Sequence, residues 1–124
     1  MSDRGSIESY RDLEGWQRGI VLVEQVCEVT DEFPEREQYE LTSQLRRAAV
    51  AIPSNIAEGW GYSSRDQYVY HLEQARSFLL EVETQIIIAE RLSYMTEEVR
   101  NELLRKTTTT ESKMLLSLMR SLRS

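Results

Sequence analysis

One long apolar periodicity constrains the fold of this chain more than any other feature of its sequence. Between residues 68 and 89 an apolar side chain recurs at alternating intervals of four and three, at Tyr68, Leu72, Ala75, Leu79, Val82, Ile86 and Ala89. This spacing places the side chains on one face of an α-helix and is typical of left-handed packing between helices. Because such a stripe needs partner helices to cover it, the sequence predicts an all-α protein with a helical core.

Three further segments carry helical periodicity and predict the partner helices. A first helix covers about residues 12–31, with the apolar stripe Leu13, Trp16, Ile20, Val23 and Cys27, widened by Leu22, Val26 and Val29. A second covers about residues 38–60. The third helix is predicted to begin at Ser64, which has capping-box spacing with Gln67. A fourth follows the predicted cap Thr96, with the apolar face Val99, Leu103, Leu115, Leu118 and Leu122. Since short turns join these segments, we predict an antiparallel up-down four-helix bundle over residues 10–124, after a disordered tail at residues 1–9.

The composition suits one helical domain in a reducing compartment. Of the 124 residues, 40% are hydrophobic and 29% are charged, and Cys27 is the single cysteine. One cysteine excludes a disulfide framework within the chain, and on an apolar stripe it is expected to act as a small hydrophobe. Residues 1–9 lack an apolar leader, and the longest wholly apolar run, residues 86–89, is too short to span a bilayer. We therefore expect a cytoplasmic protein with no membrane partner.

The predicted second helix contains the most unusual stretch of the chain, residues 41–61. Its apolar spacing recurs at Leu41, Leu45, Ala48 and Ile52 and is then interrupted by Pro53. Proline has no N–H, and its ring meets the carbonyl four residues earlier, so we expect a kink at Pro53. Ser54 and Asn55 follow directly and offer side-chain partners for the backbone groups that the proline releases.

Two polar residues lie within this apolar stretch and need partners. Asn55 and Glu58 are flanked by small apolar residues, and burying either without a partner would cost on the order of 1–3 kcal/mol. They admit two interpretations: a satisfied polar network in the core, or an active-site carboxylate with an amide helper. We favour the network, because neither a nucleophile nor a metal ligand accompanies them in the sequence.

The ends of this stretch carry two further expectations. Gly59 and Gly61 close the helix, and glycine is suited to a left-handed cap. Arg47 is predicted to meet Glu81 of the third helix in a buried pair, which would specify the register of the two helices more than it would stabilise them.

The same stretch resembles a known protein family. The string QLRRAAVAIPSNIAEGWG at residues 44–61, followed by LEQARSFLLEVETQ at residues 72–85, is similar to the bacterial 23S rRNA intervening-sequence proteins. That family includes the accessory variability proteins of diversity-generating retroelements. The likeness extends from YRDLEGWQ, which begins at Tyr10, to the closing KMLLSLMRSLRS. It implies a four-helix bundle that assembles as a ring-like homopentamer, without known enzymatic activity.

Charge is distributed unevenly along the chain, whose net charge is −6. Residues 1–40 hold four Arg against eleven Asp and Glu, a balance of −7. Residues 103–124 hold a balance of +4, from Arg105, Lys106, Lys113, Arg120 and Arg123 against one glutamate. This basic end forms either a local nucleic-acid patch or a neighbour for the acidic first helix. We favour the second, because an acidic chain binds phosphate backbones poorly and the first and last helices of an up-down bundle are adjacent.

Surplus apolar residues predict that the protein associates with itself. On the third helix, four of them lie outside the core stripe: Phe78, Leu80, Ile87 and Ile88. A single bundle of this size has one core and would leave several of them exposed to water, and we expect the same of Leu22, Val26 and Val29 on the first helix. A cyclic homo-oligomer would bury such faces, and the number five comes from the family resemblance alone.

Two local irregularities leave alternatives open. Gly15 and Gly19 provide either a flat strip for the close approach of another helix or two tolerated glycines, each costing about 1 kcal/mol relative to alanine. The run Thr107–Thr110 consists of β-branched residues with low helix propensity, so the last helix is locally soft or bent unless packing overrides that propensity.

The sequence contains no catalytic triad, phosphate-binding loop or metal-ligand set, and we expect neither enzymatic activity nor a cofactor. His71 has no partner at metal-ligand spacing and is expected at the surface or boundary. The first hypothesis is a non-enzymatic, homo-oligomeric scaffold or adaptor. The alternative, implied by the resemblance, is an accessory protein that binds structured RNA or assists a reverse transcriptase, against which the acidic charge argues. A small-molecule pocket at the Pro53 kink would rest on Asn55 and Glu58 alone.

Overall fold

A computed structural model describes residues 7–124, apart from the side chains of Lys106 and Thr107. This part of the chain forms helices joined by turns and contains no strand, which confirms the predicted all-α class. Its α-helices are α1 (Glu14–Thr30), α2 (Leu41–Trp60), α3 (Arg65–Arg91), α4 (Glu97–Leu103) and α5 (Thr109–Arg123). Short 3-10 turns, Tyr10–Asp12 and Glu35–Glu37, precede α1 and α2, and a π-helical turn, Leu104–Thr108, joins α4 to α5.

Helix α3 provides the centre of the core, as its periodicity predicts. Six of its seven stripe residues are buried: Leu72, Ala75, Leu79, Val82, Ile86 and Ala89. Tyr68 is partly buried and packs against the same core. Helices α2 and α5 contact α3 from two sides, and α1 contacts both α2 and α5. The core therefore lies between all of the long helices.

The buried face of α1 differs from the predicted one. The residues of α1 that are buried are Gly19, Leu22, Val26 and Thr30, whereas Leu13, Trp16 and Val23 are only partly buried at the edge of the core. The expectation that Leu22 and Val26 form surplus surface is therefore wrong, because both are at most 1% exposed within a single chain. The physical reason is that α1 approaches its neighbours more closely at Gly19 than at Gly15, and the side chains one and two turns beyond Gly19 on the same face point into the core.

The last helix is a rod in which a π turn separates two α-helical segments. Thr108 and Thr109 both donate their hydroxyl groups to the carbonyl oxygen of Leu104, at 2.9 and 2.7 Å. In an unbroken α-helix, Leu103 and Leu115 would point roughly 120° apart, and the extra residue of a π turn reduces that angle to about 20°. Leu103 and Leu115 are accordingly both buried. The threonine run thus forms part of the turn that places α4 and α5 on the same core.

The predicted helix caps are confirmed at two of three places. Ser64 accepts a hydrogen bond from the Gln67 N–H at 3.3 Å, and Thr96 accepts one from the Val99 N–H at 3.1 Å. Gly61 does not adopt the left-handed cap, because its φ of −74° is ordinary helical backbone and its N–H bonds to carbonyls of the preceding turn. The left-handed residue is Ser93, with φ of 67°, at the end of α3.

The predicted tail falls largely on residues 1–6, which lie outside the described residues. Its last residue is fixed by hydrogen bonds at the start of the first turn. The Ser9 hydroxyl accepts from the Arg11 N–H at 3.0 Å, and Asp12 Oδ2 accepts from the Ser9 N–H at 3.2 Å. Residues 8 and 9, which the prediction assigned to the tail, thus take part in hydrogen bonds to the first turn.

Candidate functional site

The most unusual side chain in the core is the carboxyl group of Glu111, which lies on the first turn of α5. Glu111 is fully buried, and neither of its carboxyl oxygens has a hydrogen-bond partner among the described residues. Burial raises the pKa of this carboxyl to about 8, and the positive charge of Arg18 on α1 opposes part of that rise. A buried carboxylate without partners is costly, whereas the neutral acid is tolerated. Glu111 is therefore mostly protonated at neutral pH.

Helices α1, α2 and α5 come together near Glu111, at Gly19 of α1 and Pro53 of α2. A methyl group added at Gly19 of α1 would lie 3.3 Å from Glu111 Oε2 and 3.3 Å from Pro53 Cβ of α2. Such contacts are tight, so the glycine is needed for the close approach of α1. At Gly15 the nearest atom, Ile56 Cδ1, would be 3.9 Å away, which is ordinary contact. Of the two alternatives for this glycine pair, close approach holds at Gly19 and tolerance holds at Gly15.

The sequence carried separate signals for this site, but not their convergence. Gly19, Pro53 and the threonine run each break a helical rule locally, and the structure brings Gly19, Pro53 and the π turn to one level of the core. Glu111 was missed because glutamate is ordinarily exposed on a helix, and its place on the buried face depends on the π turn. The buried residues along this face are Thr108, Glu111, Leu115 and Met119, at helical spacing.

A second polar cluster lies further along α2 and includes the predicted Asn55. The Asn55 amide donates from Nδ2 to the Ala51 carbonyl at 2.8 Å, which directs its Oδ1 towards His71 Nδ1, 2.9 Å away. Since Asn55 Oδ1 is an acceptor, His71 carries its proton on Nδ1 when neutral. The prediction that Asn55 has partners is confirmed, and His71 is the partner that the sequence did not reveal.

Glu58 does not belong to a buried network, contrary to the prediction. Its side chain is 64% exposed, and its Oε1 lies 3.6 Å from His71 Nδ1, at the rim of the cluster. The reason is the position of Gly59, which faces α3 and turns its neighbour Glu58 outward. A methyl group on Gly59 would lie 2.9 Å from His71 Cβ, so this glycine permits the contact between α2 and α3. Ser54 is exposed on the outer face of α2.

The predicted buried pair of Arg47 and Glu81 is not found in the structure. Both residues are exposed, and Arg47 donates to the Ser43 hydroxyl at 2.7 Å. The prediction of a buried pair is therefore wrong. Both residues instead line one groove of about 460 Å³ between α2 and α3. The physical reason is that Arg47 points away from the buried face of α2, which Ala48 and Ala49 occupy.

The predicted oligomer face of α3 borders this groove. Leu80, Ile87 and Ile88 are 48%, 41% and 42% exposed, and Phe78 is partly buried against the core. A second groove of about 390 Å³ adjoins the first, with Leu80 and Ile88 in its lining and Gln44, Glu81 and Gln85 shared between the two. An apolar, grooved strip of surface thus follows the junction of α2 and α3.

The predicted basic patch is partly placed by the structure. Arg105, Lys113 and Arg120 are exposed along the last helix, and the side chain of Lys106 lies outside the described residues. Arg123 donates to Glu73 of α3 at 2.6 Å, so the basic end pairs there with α3 rather than with the acidic α1. Helix α5 does contact α1. A mostly apolar cavity of about 440 Å³ lies beside this contact, and its lining includes Gly15, Ile56 and Leu115.

Two properties of the described residues bear on the class of site. No group of three or more His, Cys, Asp or Glu residues is arranged to hold a metal ion in the part of the chain that the structure describes. Over the same residues, none of the helices has the length and apolar character needed to cross a bilayer.

The fold and the site define a helical protein in which α2, with Pro53 inside it, packs against the longer α3. The model of the family described as 23S rRNA-intervening sequence protein matches residues 11–117. The chain therefore belongs to that family, as its motif at residues 44–61 indicates. No curated protein matches it.

Proposed function

We propose that this protein is a non-enzymatic, homo-oligomeric scaffold or adaptor, built as an antiparallel up-down four-helix bundle with a kink at Pro53. The observation that carries the proposal is the apolar strip along α2 and α3. A contiguous, grooved strip with several large exposed aliphatic side chains is characteristic of a protein–protein interface. The cytoplasm is the proposed location.

The occupant of this strip is proposed to be another copy of the chain. Leu80 and Ile88 would enter the interface as apolar anchors, and the polar residues between the grooves, Gln44, Glu81 and Gln85, would supply hydrogen bonds. A contact between unlike faces closes into a ring when its rotation divides a full turn, and a closed ring is the assembly proposed here. The number of subunits is proposed to be five, on the basis of the family resemblance.

Light scattering coupled to size-exclusion chromatography tests the proposal. The wild-type protein is expected to elute as a multiple of its 14.5 kDa chain at micromolar concentration. Leu80→Glu should dissociate it, because a carboxylate at the centre of an apolar interface is desolvated without a partner. Val21→Glu is a matched control, since Val21 is 45% exposed on α1, outside the strip.

A monomeric wild type would refute self-association. An oligomer that persists with Leu80→Glu would refute the strip as the interface. A clean dimer or tetramer would refute only the pentamer.

The second candidate function is binding of structured RNA, and one observation favours it. Arg105, Lys113 and Arg120 are exposed and recur along the last helix at intervals that keep them near one face. Such a row can follow a phosphate backbone, and its affinity should fall steeply with salt. A reverse transcriptase is a proposed partner only through the family resemblance.

A gel-shift assay with a structured RNA at near-physiological salt tests this candidate. Binding that is lost when the row is reversed to glutamate would support it. Binding that survives the reversal would refute the row as the interface, and an absence of binding would refute the candidate function.

A further inference from the structure

The proposed scaffold role makes no use of the carboxyl group enclosed beside the π turn. Glu111 is fully buried, and its oxygens lack partners among the described residues. Its Oε2 and the Cβ of Pro53 on α2 would each lie 3.3 Å from a methyl group added at Gly19 of α1. We propose that Glu111 is a proton-operated latch on the last helix. As a neutral acid it holds the start of α5 against α1 and α2, and on ionisation it releases α5 together with the Leu104–Thr108 turn.

The groups around Glu111 favour its neutral form. On α1, the charged group that acts on it is Arg18, which is half exposed and lies 3.5 Å from Glu14 Oε2. On α2, the residue that flanks the same side of Gly19 is the apolar Pro53. The described residues of α2, α3 and α4 contribute no charge to the causes of its raised pKa. Within the last helix, the Thr108 hydroxyl already donates to Leu104, so it does not serve Glu111 as a donor.

The surroundings also provide a way for the latch to open. The mostly apolar cavity between α1 and α5 is lined by Gly15, Ile56, Thr110 and Leu115, each about a turn or less from the residues that enclose Glu111. An ionised carboxylate can reach water through this space if α5 moves. In the adjoining π turn, two threonine hydroxyls bond to one carbonyl oxygen. We expect a movement of α5 to change the conformation of this turn.

The first test is a direct titration of the wild-type side chain by nuclear magnetic resonance. The carboxyl carbon of Glu111, identified by its absence from the spectrum of Glu111→Gln, is expected to titrate with a midpoint near the raised pKa of about 8. A midpoint for Glu111 below about 6 would overturn the proposal.

The second test asks whether ionisation releases the last helix. Amide hydrogen exchange, expressed relative to the intrinsic rate at each pH, is compared between about pH 6 and pH 9. Protection of residues 104–112 is expected to fall at least about tenfold in the wild type and to stay constant in Glu111→Gln. Glu98→Gln, which removes an exposed carboxylate from the same rod, should behave like the wild type.

Three outcomes would overturn the latch. They are constant protection in the wild type, an equal fall in Glu111→Gln, and an equal fall in α3, which would indicate unfolding of the whole domain. If Glu111→Gln does not fold, Glu111→Leu takes its place as the variant without an ionisable group.

Discussion

Two glutamates of this protein, Glu37 and Glu111, have opposite electrostatic environments. Glu37, in the turn before α2, accepts from the Tyr94 hydroxyl at 2.7 Å and from the Leu41 N–H at 3.2 Å. The bond from Tyr94, the bond from Leu41 and the nearby charge of Arg36 lower the pKa of Glu37. Glu111 has no such donors, and burial raises its pKa to about 8. The same side chain thus favours the charged form at one site and the neutral form at the other.

The difference shows which local factor decides the charge of a carboxyl group. Glu37 lies where two connections meet, and its donors come from α2 and from the turn that follows α3. Glu111 lies where three helices meet, and close packing excludes both donors and water. Loops bring polar groups together at the surface, whereas helix faces bring apolar atoms together in the core. As a result, the two glutamates should respond to pH in opposite directions.

The largest expected effect comes from removing the buried carboxyl. Because the pKa of Glu111 is higher in the folded than in the unfolded chain, the folded state binds the extra proton, and stability falls as pH rises from about 4.5 to about 8. Glu111→Leu should therefore be more stable than the wild type at pH 9, by roughly 3–5 kcal/mol, and should gain little near pH 5.

Urea denaturation at a fixed protein concentration measures this effect, with Glu98→Gln as the control at an exposed position. A wild-type stability that does not fall between pH 5 and pH 9, or a Glu111→Leu variant with the same pH dependence, would contradict the assigned environment.

A smaller effect is expected from crowding the same site without changing its charge. Gly19→Ala places a methyl group 3.3 Å from both Glu111 Oε2 and Pro53 Cβ, and it should destabilise the protein by about 1–3 kcal/mol. Gly15→Ala is the matched control one turn earlier, and it should be neutral or stabilising by up to about 1 kcal/mol. Thermal melts of both variants measure the difference, and equal effects would show that α1 does not approach most closely at Gly19.

The smallest effect is expected at Glu37, whose contribution to stability should change with pH in the opposite direction. The pKa of Glu37 is lower in the folded chain, so its contribution to stability is present above about pH 4.5 and is lost as pH falls through the folded value. Glu37→Gln should reduce stability slightly at pH 7, and its melting temperature should converge with that of the wild type in acid. A difference that grows in acid would contradict the role assigned to the Tyr94 and Leu41 donors.

Much of the fold could be predicted because its signals are local and repeated. The stripe from Leu72 to Ala89 agrees with the structure, and so do the Ser64 and Thr96 caps, since each depends on residues within a few turns. The face of α1 was predicted less well. Its apolar residues are spread around the helix, so their spacing alone did not reveal that Gly19, Leu22 and Val26 face the core.

The candidate site could be predicted only in pieces. Pro53 and the Thr107–Thr110 run are visible as irregularities, but neither identifies its neighbour. His71 looked isolated in the sequence because its partner Asn55 lies on another helix, and Glu58 looked enclosed because its neighbours in the chain are small and apolar. Contacts between helices depend on how each is rotated about its axis, and local spacing does not specify that rotation.

The sequence by itself determined that the chain is helical, which face of α3 is buried, and to which family the protein belongs. Those conclusions rest on apolar periodicity and on one contiguous motif, and in each case many residues support the same conclusion. The tertiary structure alone decided that Gly19, Pro53 and Glu111 share one place in the core and that the π turn aligns α4 with α5. One extra residue in a helical turn rotates everything beyond it by about 100°, and only packing against the other helices determines where that residue is accommodated.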